Sequence, residues 1–281
     1  MDIWHAVLLG AVEGFTEFLP ISSTGHLTIL ENLLGYQIDS PDITAFTAII
    51  QSGAVLATVI FLRHDIWRII TGWVRGLFHA EHRDHLDYRF GWAVILGSIP
   101  IAVVGLLFKD QITTTLRSLW FVSGALILWS AVMWFADHAA TQVRHEKDVT
   151  WKDTLIIGTV QCLALIPGVS RSGATMSAGL LRDLDRVAVT RLSFFLSIPA
   201  LLAASVLQTV TEYDNISSAN GGVGWGATIV ATLVSFVVGY IAVAWLLKFI
   251  AKHSYSIFII YRVVLGSVLM VLLATNVLQP T

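Results

Sequence analysis

The sequence predicts an all-α polytopic membrane protein: six transmembrane helices plus two re-entrant helical hairpins, arranged as an inverted-topology repeat within a single integral membrane domain, residues 1–281. Three observations carry this expectation. Hydrophobic residues make up 56% of the chain and charged residues 13%, with a mean hydropathy of +0.75; ordinary soluble domains carry about 25% charged residues. Six stretches are apolar over the length of a bilayer. Two further apolar stretches are broken by Pro, Gly and Ser, and an ungapped offset of 148 residues superimposes them. The composition excludes a disordered chain, a collagen-like fibre and an ordinary soluble enzyme. A net charge of −2 excludes nucleic acid as a partner, because such binding needs a clustered basic surface. Cys162 is the only cysteine, which excludes an internal disulfide and a Cys-rich metal site. The N-terminus does not read as a signal peptide: no Lys or Arg precedes the first apolar run, and Glu13 and Glu17 interrupt it.

A spanning helix needs about 20 mainly apolar residues. The stretches 43–62, 88–108, 118–136, 192–209, 225–247 and 257–278 qualify. Pro100 and Pro199 fall inside two of them, so kinks are expected there. Basic residues set the orientation. Arg63, Arg68, Arg75, Arg83 and Arg89 follow the first span; Arg144, Lys147 and Lys152 follow the third. Arg182, Arg186 and Arg191 precede the fourth, and Lys248, Lys252 and Arg262 are counted between the last two. These loops are expected inside, with 109–117, 210–224 and the C-terminus outside. The interrupted stretch 154–181 then enters from the inside and returns there, and residues 1–42 begin and end outside. Both are expected as re-entrant hairpins, from opposite sides.

The 148-residue offset aligns Gly10 with Gly158, Val12 with Val160, Ser22 with Ser170 and Gly25 with Gly173, and pairs Glu13 with Gln161. The repeat halves run over about 1–136 and 150–279. Pro20 and Pro167 miss each other by one position. Inverted repeats with broken helices place their sites near the bilayer centre.

Ionisable groups at membrane depth cost roughly 2.5–3.5 kcal/mol each and mark function by default. Glu13 and Glu17 are four apart and share a helix face; like charges there need a cation, an Arg or a proton between them. Pro20 ends that helix, Ser22, Ser23 and Thr24 supply hydroxyls at the break, and His26 follows. In the second hairpin, Gly168, Ser170, Arg171, Ser172, Gly173 and Thr175 form a Gly-rich turn entering a helix. Free backbone N–H groups and a bidentate guanidinium there suit a phosphate. Anion clamp, acidic pair, hydroxyls and histidine are the parts of phosphoryl chemistry. The plainer readings stand beside this one. Ser and Thr can back-bond within membrane helices, Glu13 or Glu17 can be the structural partner of Arg171, and His26 can be a satisfied buried imidazole. Glu31 is expected near the outer interface without a role. His79, His82 and His85 have metal-like spacing but are expected in a solvated inner loop.

The stretches E-G-F-T-E-F-L-P-I-S-S-T-G-H (13–26) and P-G-V-S-R-S-G-A-T (167–175) resemble the two motifs of bacterial undecaprenyl-diphosphate phosphatases of the bacitracin-resistance type. The resemblance covers essentially the whole chain. It implies an inner-membrane enzyme that hydrolyses undecaprenyl diphosphate and recycles the lipid carrier for cell-wall synthesis. The family's acidic pair falls on Glu13 and Glu17, its Ser-Thr-His cluster on Ser23, Thr24 and His26, and its phosphate-binding Arg on Arg171. The family uses a divalent cation and faces its site outward.

The expected mechanism has Arg171 and the 168–173 backbone holding the diphosphate. Glu13 and Glu17 bind Mg²⁺ or Ca²⁺, Ser23 attacks, and His26 is the general base. His26 as nucleophile and direct attack by water are its rivals. The expected partners are a polyprenyl diphosphate and membrane lipids; a homodimer is left open. The alternative function is transport of a polyprenyl phosphate, because inverted repeats with re-entrant hairpins also build transporters.

Overall fold

The computed structural model describes residues 1–38, 40–108, 118–211, 213, 216 and 222–280. The loop 109–117, with Lys109 and Arg117, and most of the loop 210–224 lie outside the described residues. The described residues are all-helical apart from one isolated bridge. The helices are α1 (Ile3–Thr16), α2 (Ser23–Leu33), α3 (Pro41–Phe61), α4 (Arg63–Phe78), α5 (Leu86–Leu107), α6 (Leu119–Ala139), α7 (Trp151–Gln161), α8 (Arg171–Leu180), α9 (Arg186–Thr211), α10 (Trp225–Ile250) and α11 (Ser256–Ala274).

Six of them, α3, α5, α6, α9, α10 and α11, are long and apolar enough to cross a membrane. They match the six expected spans. Helix α9 starts at Arg186, six residues early, because the basic residues that mark the inner loop are folded into its first turns. There Arg186 Nε donates to Asp137 at 2.7 Å, and Arg191 donates to Asp65 at 3.0 Å and Glu146 at 2.5 Å. The two interrupted stretches each form a pair of short helices, α1/α2 and α7/α8. At 14 residues, α1 is about 21 Å long, short of a hydrocarbon core of about 30 Å.

Two expectations are corrected. Residues 63–78, read as inner loop, form helix α4. Trp67, Ile70, Val74 and Phe78 recur at helical spacing along its exposed face, while arginines occupy other positions, the pattern of a helix lying in a membrane interface. Arg262, counted as a loop charge, lies within α11 and is 0% exposed. Its guanidinium is satisfied by two carbonyls and a hydroxyl from three other segments, described below. Glu31 is buried on α2. His79 and His85 are exposed, and rings 79, 82 and 85 stack edge to face. No group of three or more His, Cys, Asp or Glu among the described residues could hold a metal ion.

The short helices seat by close approach to a long one. A Cβ at Gly10 would lie 2.3 Å from the carbonyl oxygen of Ala231 on α10, and one at Gly158 would lie 1.9 Å from that of Gly97 on α5. Only glycine lets these backbones touch. One apolar core surrounds Phe18, Leu180, Phe194 and Tyr255; a second joins Leu9, Phe46 and Ala231.

At the α6–α7 connection, Arg144 bonds its backbone to Asp183 and Asp185 and donates both Nη groups to Asp153, which Arg182 also reaches at 2.9 Å. Burial by itself raises the Asp153 carboxyl. The hydrogen bonds from Arg144, Thr150 and Arg182 outweigh it and hold the group well below the usual carboxylate range.

Two predictions follow from this packing. Gly158→Ala is expected to lower stability by about 1–3 kcal/mol through helix separation, whereas Gly105→Ala, with open space around it, is neutral or stabilising. Thermal unfolding in detergent distinguishes them. A depressed native pKa stabilises above the unfolded value of about 3.9 and is lost as pH falls below it. Asp153→Asn should therefore cost about 2 kcal/mol at pH 7, and the deficit should shrink as the pH is lowered through the carboxylate range.

Candidate active site

Both helix breaks end in the same local structure. Ser22 is the N-cap of α2 with φ +76°, and Ser170 is the N-cap of α8 with φ +76°. Each Oγ accepts from the N–H three residues on, Gly25 at 3.3 Å and Gly173 at 3.1 Å. A left-handed φ is costly for a residue with a Cβ, and such strain concentrates at functional sites. Here the surroundings hold it: Ser22 Oγ also accepts from the Gly168 N–H at 3.1 Å, and Ser172 Oγ donates to the Leu19 carbonyl at 2.8 Å. The two breaks are thus laced to each other across 146 and 153 residues of chain.

Arg262 reinforces the lacing. It donates to the Gly168 carbonyl at 2.9 Å, the Pro20 carbonyl at 3.3 Å and Ser130 Oγ at 3.1 Å. A wholly buried guanidinium is tolerable only when its donors are so used.

Between the breaks lies a cavity of about 130 Å³ lined by Glu17, Ser22, Ser23, Thr24, Gln51, Ile101, Ala164, Leu165, Ser170, Arg171 and Leu201. That is below the roughly 300 Å³ of a drug-sized pocket and suits a small polar group. Arg171 Nη2 donates to Glu17 Oε1 at 2.9 Å, with side chains 9% and 3% exposed. Ser23 Oγ donates to Glu17 Oε2 at 2.5 Å, and Gln51 Nε2 donates to the same oxygen at 3.1 Å. The Ser23 contact has the length of a charge-assisted O–H···O⁻ bond. Arg171 keeps donors in reserve: its buried Nε has no partner among the described residues, and its Nη1 contact to the Ser193 carbonyl is long at 3.5 Å. The first-turn N–H groups of α2 and α8 have no intrahelical acceptor, and both helix starts contribute residues to the cavity. The arrangement can bind an anion at Arg171 and present a hydroxyl, already paired with a carboxylate, to it.

Of the expected site residues, Glu17, Ser22, Ser23, Thr24, Ser170 and Arg171 are brought together around the cavity. Glu13 lies four residues before Glu17, 1% exposed and absent from the cavity lining, and its Oε1 has no partner among the described residues. Gly168, Ser172 and Gly173 build the break rather than line the cavity. Thr175 back-bonds to the Arg171 carbonyl at 2.9 Å and pairs with Ser193 Oγ at 2.6 Å. The expected pairing of His26 with Ser23 is not formed. His26 Nδ1 meets the Ser22 carbonyl at 2.7 Å, its Nε2 meets Tyr261 Oη at 2.7 Å, and it is absent from the cavity lining. The i, i+3 spacing put both side chains near one helix start, but the His26 ring turns to the carbonyl four residues back, as His138 and His253 do, and to Tyr261. Sequence reasoning missed Gln51, Tyr261 and Arg262. Gln51 had a readable signal: an amide in the middle of an apolar span is costly without a partner. Arg262 had one too, masked by its count as a loop charge.

Ser22→Ala removes the acceptor of two buried N–H groups. It is expected to cost about 2 kcal/mol, read as a lower Tm in detergent.

The sequence was compared with known families and proteins. The family model "Bacitracin resistance protein BacA" matches residues 6–268. The chain is 69% identical over 281 residues to "Undecaprenyl-diphosphatase 3" of Frankia casuarinae, covering 100% of each. It is 54% identical over 281 residues to "Undecaprenyl-diphosphatase" of Cutibacterium acnes, and 51% identical over 280 residues to "Undecaprenyl-diphosphatase 1" of Streptomyces coelicolor, covering 99% of each chain in both cases. The match to the family model spans nearly the whole chain and both helix breaks, and the chain belongs to the bacitracin resistance protein BacA family.

Proposed function

We propose that this chain is a membrane phosphatase that hydrolyses undecaprenyl diphosphate to undecaprenyl phosphate and inorganic phosphate, recycling the lipid carrier for peptidoglycan synthesis. The names of its relatives support the substrate. The observation that carries the reaction is a buried carboxylate, Glu17, that holds the Ser23 hydroxyl on one oxygen and Arg171 on the other. Ser23 also lines the cavity beside Arg171, whose buried Nε has no partner among the described residues, so an anion held there would meet the hydroxyl.

Arg171, with its unused donors, and the N–H groups opening α2 and α8 bind the terminal phosphate and neutralise charge that develops on its oxygens. Ser23 Oγ attacks that phosphorus as Glu17 takes its proton. The new Oγ–P bond replaces the bridging P–O bond, and undecaprenyl phosphate leaves with the bridging oxygen. Glu17 passes that proton to the departing phosphate oxygen, and the freed carboxylate then deprotonates the water that cleaves the phosphoserine, releasing inorganic phosphate and restoring the Ser23 hydroxyl. Gln51 holds the plane of the Glu17 carboxylate. His26 braces the strained Ser22 through its carbonyl, a positioning role in place of the general base expected from the spacing.

The acidic pair suits a divalent cation. The unpartnered Oε1 of Glu13 beside Glu17 is a buried acceptor lacking a donor, and Mg²⁺ or Ca²⁺ takes carboxylate, water and phosphate oxygens. Glu13 and Glu17 would hold it, and it would supply further charge neutralisation at the phosphate.

The same proposal reads α1/α2 and α7/α8 as re-entrant hairpins of an inverted repeat. The equal φ at Ser22 and Ser170, 148 residues apart, supports this. So does the equivalent seating of Gly10 on α10 and Gly158 on α5. Charge counting puts the site toward the exterior face of the bacterial inner membrane. Transport of a polyprenyl phosphate is the second reading, favoured by two broken helices meeting at one anion site.

The test is phosphate release from a C55 prenyl diphosphate by purified protein in detergent. Glu17→Gln and Ser23→Ala are each expected to lower kcat by roughly 10²–10⁴-fold, and EDTA to lower it in wild type but not further in Glu13→Gln. A trapped phospho-enzyme should be acid-stable; an acid-labile one moves the nucleophile to His26, and none at all moves it to water. No release from folded wild type leaves the transport reading.

A further inference from the structure

We propose that the prenyl chain of the substrate leaves the polar cavity through the seam between α5 and α9, over Ile101 and Leu201; this rests on the diphosphatase reading. The cavity, about 130 Å³, has room for a headgroup only, so a long tail must cross its wall. The wall is polar where the helix breaks form it. It is apolar at Ile101, Leu201, Ala164 and Leu165.

Helices α5 and α9 are in contact on one side of that wall, and their side chains become exposed on the other. Phe90 and Phe195 meet edge to face at 5.4 Å, and Gly97 abuts Leu196, whose Cδ2 lies 2.7 Å from where a Cβ would be. Each helix then carries a proline, Pro100 and Pro199, immediately before its lining residue or two positions before it. A proline inside a helix removes a backbone hydrogen bond and kinks it. Burial changes at the same point. All four buried residues of α5 precede Pro100, and every buried residue of α9 except Ser205 precedes Pro199. Beyond the prolines neither helix carries a charged side chain, and Val103, Leu106 and Val206 are 49%, 69% and 62% exposed. Ordinary lipid-facing helix ends share that exposure. These two also contribute apolar residues, Ile101 and Leu201, to the wall of the cavity, so an apolar chain tethered to a phosphate there would leave over apolar side chains. The tail comes from a bilayer already as apolar as this seam, so the seam admits a long prenyl substrate by letting its tail stay in an apolar setting while the small polar site holds the phosphate.

The experiment compares a C55 with a water-soluble C5 prenyl diphosphate for wild type, for Gly105→Trp and Ala204→Trp, one helical turn beyond Ile101 and Leu201 and outside the cavity lining, and for the lipid-facing control Leu128→Trp on α6. The indole should raise KM for the C55 substrate about tenfold or more, leave kcat and KM for C5 within about twofold, and have no effect at Leu128. Equal losses on both substrates, or no change on either, overturn the exit. As a readout independent of turnover, a polyprenyl phosphate with a photoreactive group on its second isoprene unit should cross-link to residues 99–108 and 199–207. Cross-linking elsewhere overturns the exit. Cross-linking there without phosphate release from C55 overturns the diphosphatase reading alone.

Discussion

The guanidinium of Arg171 and the carboxylate of Glu17 are 154 positions apart in sequence and 2.9 Å apart in space, both nearly free of solvent. An isolated charge in that setting costs several kcal/mol, and an ion pair recovers the loss only with good geometry and with its other donors and acceptors used. Both conditions reach far into the fold. Glu17 must end α1 and Arg171 must begin α8, so the chain has to break twice at the same depth. Each break exposes carbonyl and N–H groups with no helical partner. Those groups are satisfied across the interface, by Ser22 on the Gly168 N–H, Ser172 on the Leu19 carbonyl, and Arg262 on both Pro20 and Gly168.

That mutual satisfaction explains why serines occupy two positions with left-handed φ where glycine would be less strained. Glycine would relieve the backbone and lose the Oγ that caps the next helix and, at Ser22, also pins the facing loop. The strain is offset by hydrogen bonds only serine supplies. The glycines that do occur beside them, at positions 10 and 158, serve a different end: they let α1 and α7 press against long helices so that the breaks meet at all.

The chemistry proposed for the site follows from asymmetry within this near-equivalence. Offset by 148, Ser23 corresponds to Arg171, Glu17 to Leu165 and Glu13 to Gln161. One break carries acid and hydroxyl, the other carries the cation. An acidic or a basic pair alone would repel itself and bind phosphate poorly or without a nucleophile. The two together suit an anion and keep a carboxylate next to the Ser23 hydroxyl.

Much of this was legible in the sequence because its physical causes are local. Span length and hydropathy located all six long helices to within a few residues. The Gly-Ser-Pro interruptions located both breaks, and cost at membrane depth singled out Glu13, Glu17 and Arg171. Where the reading failed, the missing term was a contact between distant segments. Helix α4 was hidden by its arginines, of which Arg68 and Arg75 lie off its apolar face. Arg262 looked like an inner-loop cation until burial among carbonyls of residues 20 and 168 gave it a place. His26 could be put near Ser23 by spacing, but its ring is held by the Ser22 carbonyl and by Tyr261, 235 residues away. The sequence by itself determined the membrane class, the spans, the breaks and the residue types at the site. Which carboxylate oxygen meets which donor, and which apolar wall borders the cavity, were decided by tertiary structure alone, because hydrogen bonds act over about 3 Å and nothing in a linear pattern measures that distance across 150 residues.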